Sequence, residues 1–378
     1  MKIKLVGIFL LVILVFLGCD DANLSENENF ILNLPPMKSQ FAGKFMIGNI
    51  FNPGDVSGSK VTNPFLTRHF DVLTAENNMK PGYIAPSKGT YNYTTADNMV
   101  NAAISSGFKV VGHTLLWHSQ NADWMTSSVT LADMKKYVTD VVGHFKGKIY
   151  SWDVLNEVFP DGVSASANWK TSMRTNNPWF ASSIGANFVY EGFLAARHAD
   201  PDAILYYNDY NTDQVGKATM IRNMVVDVNN QYLALPAGSK PAGEPADRLL
   251  IEGIGMQEHH NLGVNASAIR ATLNMFKSMT FNGSSRKIIV SVSELDVLSQ
   301  TWNQYSSSAA ITAAGRTDQA KKYGEYMEVY LDFTDIIERV SLWGVTDDKS
   351  WRAKGEPLLF NANGIAKQSY YSFVGALK

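Results

Sequence analysis

Two apolar runs, SWDVLNEVF over 151–159 and IIVSVSELDV over 288–297, each carry one glutamate, Glu157 and Glu294, where a buried strand should give way to a loop. Two carboxyl groups so placed suit the cleavage of a glycosidic bond with retention. That chemistry needs one carboxyl protonated, to donate to the leaving oxygen, and one ionised, to attack the sugar, about 5 to 5.5 Å apart.

Such a pair must be delivered by neighbouring elements that end on one face. Apolar runs of strand length alternate with helical patterns along the chain. The strands are expected at Phe45 to Ile50, Val72 to Asn77, Lys109 to Trp117, Ile149 to Asn156, Ile204 to Asp209, Ile251 to Gln257, Ile288 to Glu294 and Val340 to Val345. Helices are expected at Thr94 to Ser106, capped by Gly107, and at Leu131 to Phe145, with Thr130 and Asp133 as a capping pair. Others fall near Trp179 to His198, Val215 to Leu233, Asn265 to Met279, Thr317 to Tyr330 and Lys367 to Leu377. Eight such units in about 340 residues imply a single (β/α)₈ TIM barrel over 38–378, with reactive groups at the C-terminal strand ends. No internal repeat, long linker or appended module interrupts it. The Pro/Gly-rich piece from Pro236 to Pro245 falls on the opposite face as a surface loop.

Composition agrees: 378 residues, 45% hydrophobic and 18% charged, can bury a large core. A net charge of -2 and the lack of a basic run argue against nucleic acid and for a neutral substrate. Lys2 and Lys4 precede an apolar stretch, Leu5 to Leu17, too short to span a bilayer comfortably, so 1–18 reads as an export signal. Phe16, Leu17, Gly18 and Cys19 resemble a bacterial lipoprotein signal, in which Cys19 becomes the lipidated first residue and 19–37 a tether beginning Asp20, Asp21. A plain secretory signal is the alternative. Cys19 is the only cysteine, so no internal disulfide forms. The expectation is an exported monomer whose only membrane contact is that lipid.

Polar residues collect at the strand ends: Glu76, Asn77 and Lys80; His113, Trp117 and His118; Asn156 and Glu157; Asn208, Asp209 and Tyr210; Gln257 and His259; Glu294 and Asp296; Trp343, Trp351 and Arg352. The segments around them, TAENNMKP (74–81), GHTLLWHSQ (112–120), WDVLNE (152–157), YYNDYN (206–211), GIGMQEHH (253–260), SELDV (293–297) and WGVTDDKSWR (343–352), resemble the glycoside hydrolase family 10 endo-β-1,4-xylanases in order across nearly the whole barrel.

The resemblance implies that Glu157 is the general acid/base and Glu294 the nucleophile of a xylan hydrolase, with Glu157 starting protonated. It makes Asn156 the partner of the sugar 2-hydroxyl, offering donor and acceptor, and His259 the contact of Glu294, fixed in turn by Asp296, with Gln257 joining from the same strand face. Glu76, Asn77, Lys80, His113, Trp117 and Gln120 match the glycone-contacting positions. Trp343 and Trp351 match sugar platforms, Trp351 crowding the place of a C5 hydroxymethyl group, and Asn208 and Tyr210 should line the cleft. No cofactor is implied. His113 and His118, and His259 and His260, lie at odd separations on strands and so face apart, which argues against a metal.

Met256 and Glu258 stand where the family more usually has smaller residues, and Leu358 to Ser369 lacks the expected proline-containing ending. Two long connections, 160–177 with Trp169 and 299–316 with Trp302 and Tyr305, either build aglycone subsites or are mobile loops. The competing functions are a lipoprotein that captures xylan without cleaving it, and a β-1,4-glucan or mannan hydrolase on the same barrel.

Overall fold

The computed structural model describes residues 26–301 and 310–377. Eight parallel strands form the barrel: β1 (Met46–Phe51), β2 (Val72–Ala75), β3 (Lys109–Leu116), β4 (Ser151–Asn156), β5 (Ile204–Asp209), β6 (Gly253–Met256), β7 (Ile289–Val297) and β8 (Ile337–Leu342). They pair in chain order, and β8 bonds to both β7 and β1, so the sheet closes. The expected barrel is present. Its helices are α1 (Pro64–His69), α2 (Thr94–Ser105), α3 (Leu131–His144), α4 (Asn187–Ala199), α5 (Val215–Leu233), α6 (Ala266–Lys277), α7 (Ala313–Leu331) and α8 (Gln368–Gly375).

Local chemistry sets these bounds. Thr130 and Asp133 exchange hydrogen bonds at the start of α3, and Gly107, at φ 86°, turns the chain out of α2. Helix α7 begins four residues before the expected Thr317, where the Thr312 side chain accepts from Gly315 N. The expected helix near Trp179 is two pieces, Pro178–Ala181 and α4. Strand β8 lies three residues earlier than expected because the chain leaves the sheet at Trp343 and Gly344, the latter at φ 138°. The tether expected over 19–37 ends sooner: Ile31, Leu34 and Met37 are buried, and Ile31 N donates to Gly364 O at 2.9 Å. Cys19 and the export signal lie outside the described residues.

The lumen is filled rather than open. Arg339 on β8 donates to Ser151 Oγ on β4 at 3.0 Å, a contact between strands four apart that must cross the interior, and its guanidinium lies 4.9 Å from the Tyr206 ring centroid. Gly253 makes room for that ring, since a Cβ there would sit 2.2 Å from Tyr206 Cε1. The strand registers slip at four places, between His113 and Leu116, Asp153 and Leu155, Val290 and Ser291, and Val292 and Leu295. All but the Val290–Ser291 slip lie in the C-terminal half of their strands, where irregular pairing re-aims side chains.

Gly253→Ala should lower stability by about 1–3 kcal/mol through overpacking against Tyr206, read as a drop in denaturant midpoint with unchanged slope.

Candidate active site

A cleft of about 660 Å³ opens at the C-terminal strand ends. Its lining includes Glu157 and Glu294 together with Glu76, Asn77, Lys80, His113, Trp117, Gln120, Asn156, Tyr210, Gln257, His259, Trp343 and Trp351. Asn208 and Asp296, both fully buried, stand behind it.

The two carboxyl groups are held differently. Glu294 accepts from Asn208 Nδ2 at 2.7 Å and lies 3.1 Å from His259 Nε2. Burial alone would raise its pKa; the His259 hydrogen bond, the charges of His113 and His259 and the Asn208 amide outweigh burial and hold it below the usual carboxylate range. Burial likewise opposes charge on His259, but Asp296 and Glu294 prevail and push it up to about 9. Asp296 Oδ2 lies 3.0 Å from His259 Nδ1, off the line of an ideal hydrogen bond, and its other oxygen accepts from Arg352 at 2.5 Å. The Trp351 indole also donates to Asp296 at 3.0 Å. A buried cation–anion chain thus runs from Arg352 to Asp296 to His259 to Glu294.

Glu157 follows the strand end in the left-handed region, at φ 54°, a conformation that costs a non-glycine residue about 1–3 kcal/mol and needs support from its surroundings. All four of its polar groups are held. Its N–H donates to Asn208 O at 2.8 Å and its carbonyl accepts from Arg174 Nε at 2.9 Å. Its carboxyl accepts from Trp117 Nε1 at 2.8 Å and Gln257 Nε2 at 3.0 Å. His118 Nδ1 lies 3.7 Å from the same carboxyl, and burial, then the Arg174 charge, lowers this histidine to about 4, so it sits there uncharged.

The amides between the carboxyls are oriented by them. A carboxylate only accepts, so Asn208 must turn its nitrogen to Glu294, while its oxygen accepts from Ser293 Oγ at 2.6 Å. The same nitrogen donates to Asn156 Oδ1 at 3.0 Å, and Gln257 Nε2 donates to that oxygen at 3.1 Å. Turned the other way, the Asn156 amide reaches Asn208 O with its nitrogen and Trp117 Nε1 with its oxygen, each at 3.2 Å. Asn208 departs from expectation: it supports Glu294 from below rather than lining the cleft.

Beyond β2 and β3, Asn77 Oδ1 accepts from Lys80 Nζ at 3.0 Å and from Gln120 at 3.4 Å, and Glu76 accepts from Asn52 at 2.6 Å. Burial lowers the Lys80 pKa, with Glu294, Glu76 and Glu157 pulling the other way. His113 is tied to Asp153 at 2.9 Å. The two tryptophans part company: Trp351 is 41% exposed and stacks edge-on to His259, whereas Trp343, 6% exposed, is floor between His113 and His259. Gln257 and His259 do share the cleft, but not by strand pleat. Strand β6 stops at Met256, and Glu258, at φ 60°, turns its side chain into the core, where His260, Tyr330 and Thr212 bond to it. Among the described residues no cluster of three His, Cys, Asp or Glu could hold a metal.

The connection 160–177 is pinned. Asp161 lines the cleft and pairs with buried Lys217 at 2.8 Å, and a Cβ on Gly216 would meet Val163 O at 1.8 Å. Trp169 is 9% exposed and packs on the core, so it is no sugar platform. Trp302 and Tyr305 lie outside the described residues. Sequence reasoning missed Asp161, Asn211 and Asn261 on the rim and Arg174 behind Glu157; left-handed backbone at Gln120, Glu157, Asn211 and Glu258 has no periodic signal.

A closed parallel barrel whose mouth gathers two unequally held carboxyls among indoles and amides is the architecture of a glycoside hydrolase. Residues 36–376 match the model of glycosyl hydrolase family 10, and the chain belongs to that family. It is 32% identical over 371 residues to the endo-1,4-beta-xylanase A of Thermotoga maritima, covering 91% of this chain and 31% of that one, so it spans about a third of that relative. It is 30% identical to the endo-1,4-beta-xylanase of Geobacillus stearothermophilus over 90% of this chain and 98% of that one. Among solved structures, a GH10 xylanase with a bacterial Ig-like domain from termite gut matches with TM-score 0.83 and 50% identity, over 92% of this chain and 78% of that one. The xylanase TsXylA of Thermoanaerobacterium saccharolyticum, as a mutant in complex with xylotriose, matches with TM-score 0.74 and 28% identity, over 90% of this chain and 98% of that one.

The depressed carboxyls Glu294 and Asp296 contribute stability that is present above the ordinary carboxylate range and lost as pH falls. His259 contributes stability that is full below its ordinary 6.5 and lost as pH rises through about 9. Thermal melts should therefore decline at both ends. Asp296→Asn, which strips the counter-charge from buried Arg352 and His259, should cost about 3 kcal/mol at neutral pH.

Proposed function

We propose that this chain is a retaining endo-1,4-β-xylanase that hydrolyses internal β-1,4 bonds of xylan by double displacement. The carrying observation is the unequal holding of the two carboxyls. Glu294 is gripped by a histidine cation and an amide, which suits an ionised nucleophile. Glu157 faces an uncharged histidine and neutral N–H donors, which suits a group that cycles its proton. The names of the relatives supply the substrate class.

In the first step Glu294 attacks the anomeric carbon while Glu157 passes its proton to the departing glycosidic oxygen. In the second, Glu157 takes a proton from water, which opens the glycosyl ester on Glu294 and restores both carboxyls. Asn156 hydrogen-bonds the 2-hydroxyl as the ring flattens toward an oxocarbenium ion. Trp351 presents an exposed indole to the sugar and occupies the place where a C5 hydroxymethyl group would crowd, which favours xylan over glucan or mannan. We also place the protein outside the cytoplasm on a lipid at Cys19; the sequence around that residue supports this, and among the described residues no helix is long and apolar enough to cross a membrane.

The test is oligosaccharide release from xylan, with cellulose and mannan in parallel and Glu294→Ala as control. Short xylo-oligosaccharides from the parent and none from the variant are expected. Binding without release would instead make the protein a glycan-capturing one, and faster release from cellulose or mannan would move the substrate assignment. Because His259 holds Glu294 below the usual carboxylate range, His259→Asn should shift the acid limb of kcat/KM upward in pH. Cys19→Ser should move the protein from the membrane to the soluble fraction; unchanged fractionation would remove the lipid.

A further inference from the structure

Every polar group of Glu157 is accounted for, but only one of its partners comes from the long connection after β4. That partner, Arg174, also donates to the Tyr210 hydroxyl, while its Nε holds the Glu157 carbonyl at 2.9 Å. We propose that Arg174 is a positioning residue for proton donation, one guanidinium locking the proton donor and the Tyr210 wall of the cleft into a single unit. This rests on the reading of Glu157 as acid/base.

Arg174 does not line the cleft, whereas Tyr210 does, with Asp161 and Asn211 beside it. Tyr210 and Asn211 follow β5, and Asp161 lies in the connection after β4, whereas Glu76 and Asn77 follow β2, three strands around the barrel from β5. The Tyr210 ring is held on both counts: Lys217 Nζ lies 3.7 Å and the Arg174 guanidinium 5.5 Å from its centroid. Lys217 is itself fixed by Asp161 at 2.8 Å and Asp209 at 3.3 Å. Asp209 accepts from Tyr207 OH at 2.5 Å, and that hydroxyl accepts from Val158 N at 3.1 Å, the residue after Glu157. Arg174 N closes the circuit by donating to Val158 O at 2.9 Å. The connection is therefore stitched to the acid at both of its ends, and Arg174 is the stitch that touches Glu157 directly.

The geometry carries a specific consequence, because φ 54° at Glu157 depends on what holds its carbonyl. Without Arg174 the carboxyl still sees Trp117 and Gln257, but the backbone that aims it is released. The loss falls on the proton transfer: the glycosidic oxygen leaves C1 with the Glu157 proton as Glu294 forms the new bond to C1. A leaving group that departs as a stable anion, such as dinitrophenolate, needs no such proton.

The experiment compares kcat/KM, which reports the first step, for xylotriose and for dinitrophenyl β-xylobioside in the parent, Arg174→Met, Arg174→Lys and Tyr210→Phe. Arg174→Met should lose at least about tenfold on xylotriose but less than about threefold on the dinitrophenyl substrate. Arg174→Lys, which keeps charge but not two fixed donors, should lose less on xylotriose, and Tyr210→Phe, which leaves the Glu157 carbonyl held, less again. Equal losses on both substrates, or none on either, would overturn the proposal. Should Arg174→Met fail to fold by circular dichroism, the same comparison in Arg174→Lys decides. A parent inactive on both substrates would instead remove the xylanase reading itself.

Discussion

A buried carboxylate that must stay ionised is the constraint on which the rest of this cleft depends. Taking Glu294 out of water favours its protonated form, so the protein surrounds it with charge and N–H donors that act in the opposite sense. The donors cannot be isolated either. His259 remains charged through Asp296 behind it and Glu294 in front, and Asp296 remains ionised in a fully buried position through Arg352 and His259. The aspartate that orients the histidine also accepts from the Trp351 indole N–H. Trp351 and Glu294 are thereby referenced to one carboxylate.

The barrel supplies this arrangement through its irregularities rather than its regularity. Ideal strands send adjacent residues to opposite faces, yet Asn156 and Glu157 both serve one site, and Gln257 and His259 reach it from beyond the end of β6. Register slips in β3, β4 and β7 and left-handed residues at 157 and 258 produce that convergence. Their strain is borne by hydrogen bonds on every polar group of Glu157 and by the buried Glu258, His260 and Tyr330 cluster.

Much of this was legible in the residues. Eight apolar runs with helical spacers sufficed for the barrel, since burial on both faces of a parallel strand leaves a continuous apolar signature. The placement of Glu157 just past a strand end was likewise visible, because a charged residue closing an apolar run is conspicuous, whereas β7 runs on to Val297, three residues beyond the end expected at Glu294. What was not legible followed from three-dimensional packing. Asn208 reads like any strand-end amide, and only its neighbours Glu294, Asn156 and Ser293 show that it faces inward. Trp169 and Trp351 are both tryptophans in long connections; one is swallowed by the core and the other exposed. Arg174 lies 17 residues beyond Glu157, in a stretch without periodicity, and its bond to the Glu157 carbonyl leaves no trace in spacing.

The central claim, that Glu294 is held as an ionised nucleophile, is tested most directly by trapping. Incubation with a 2-deoxy-2-fluoro-xylobioside bearing a dinitrophenyl leaving group should slow hydrolysis of the ester enough for it to accumulate. Mass spectrometry of the digested protein should then find the fluorosugar on the peptide containing Glu294. Turnover of the reagent without any adduct, or an adduct on Glu157, would contradict the account.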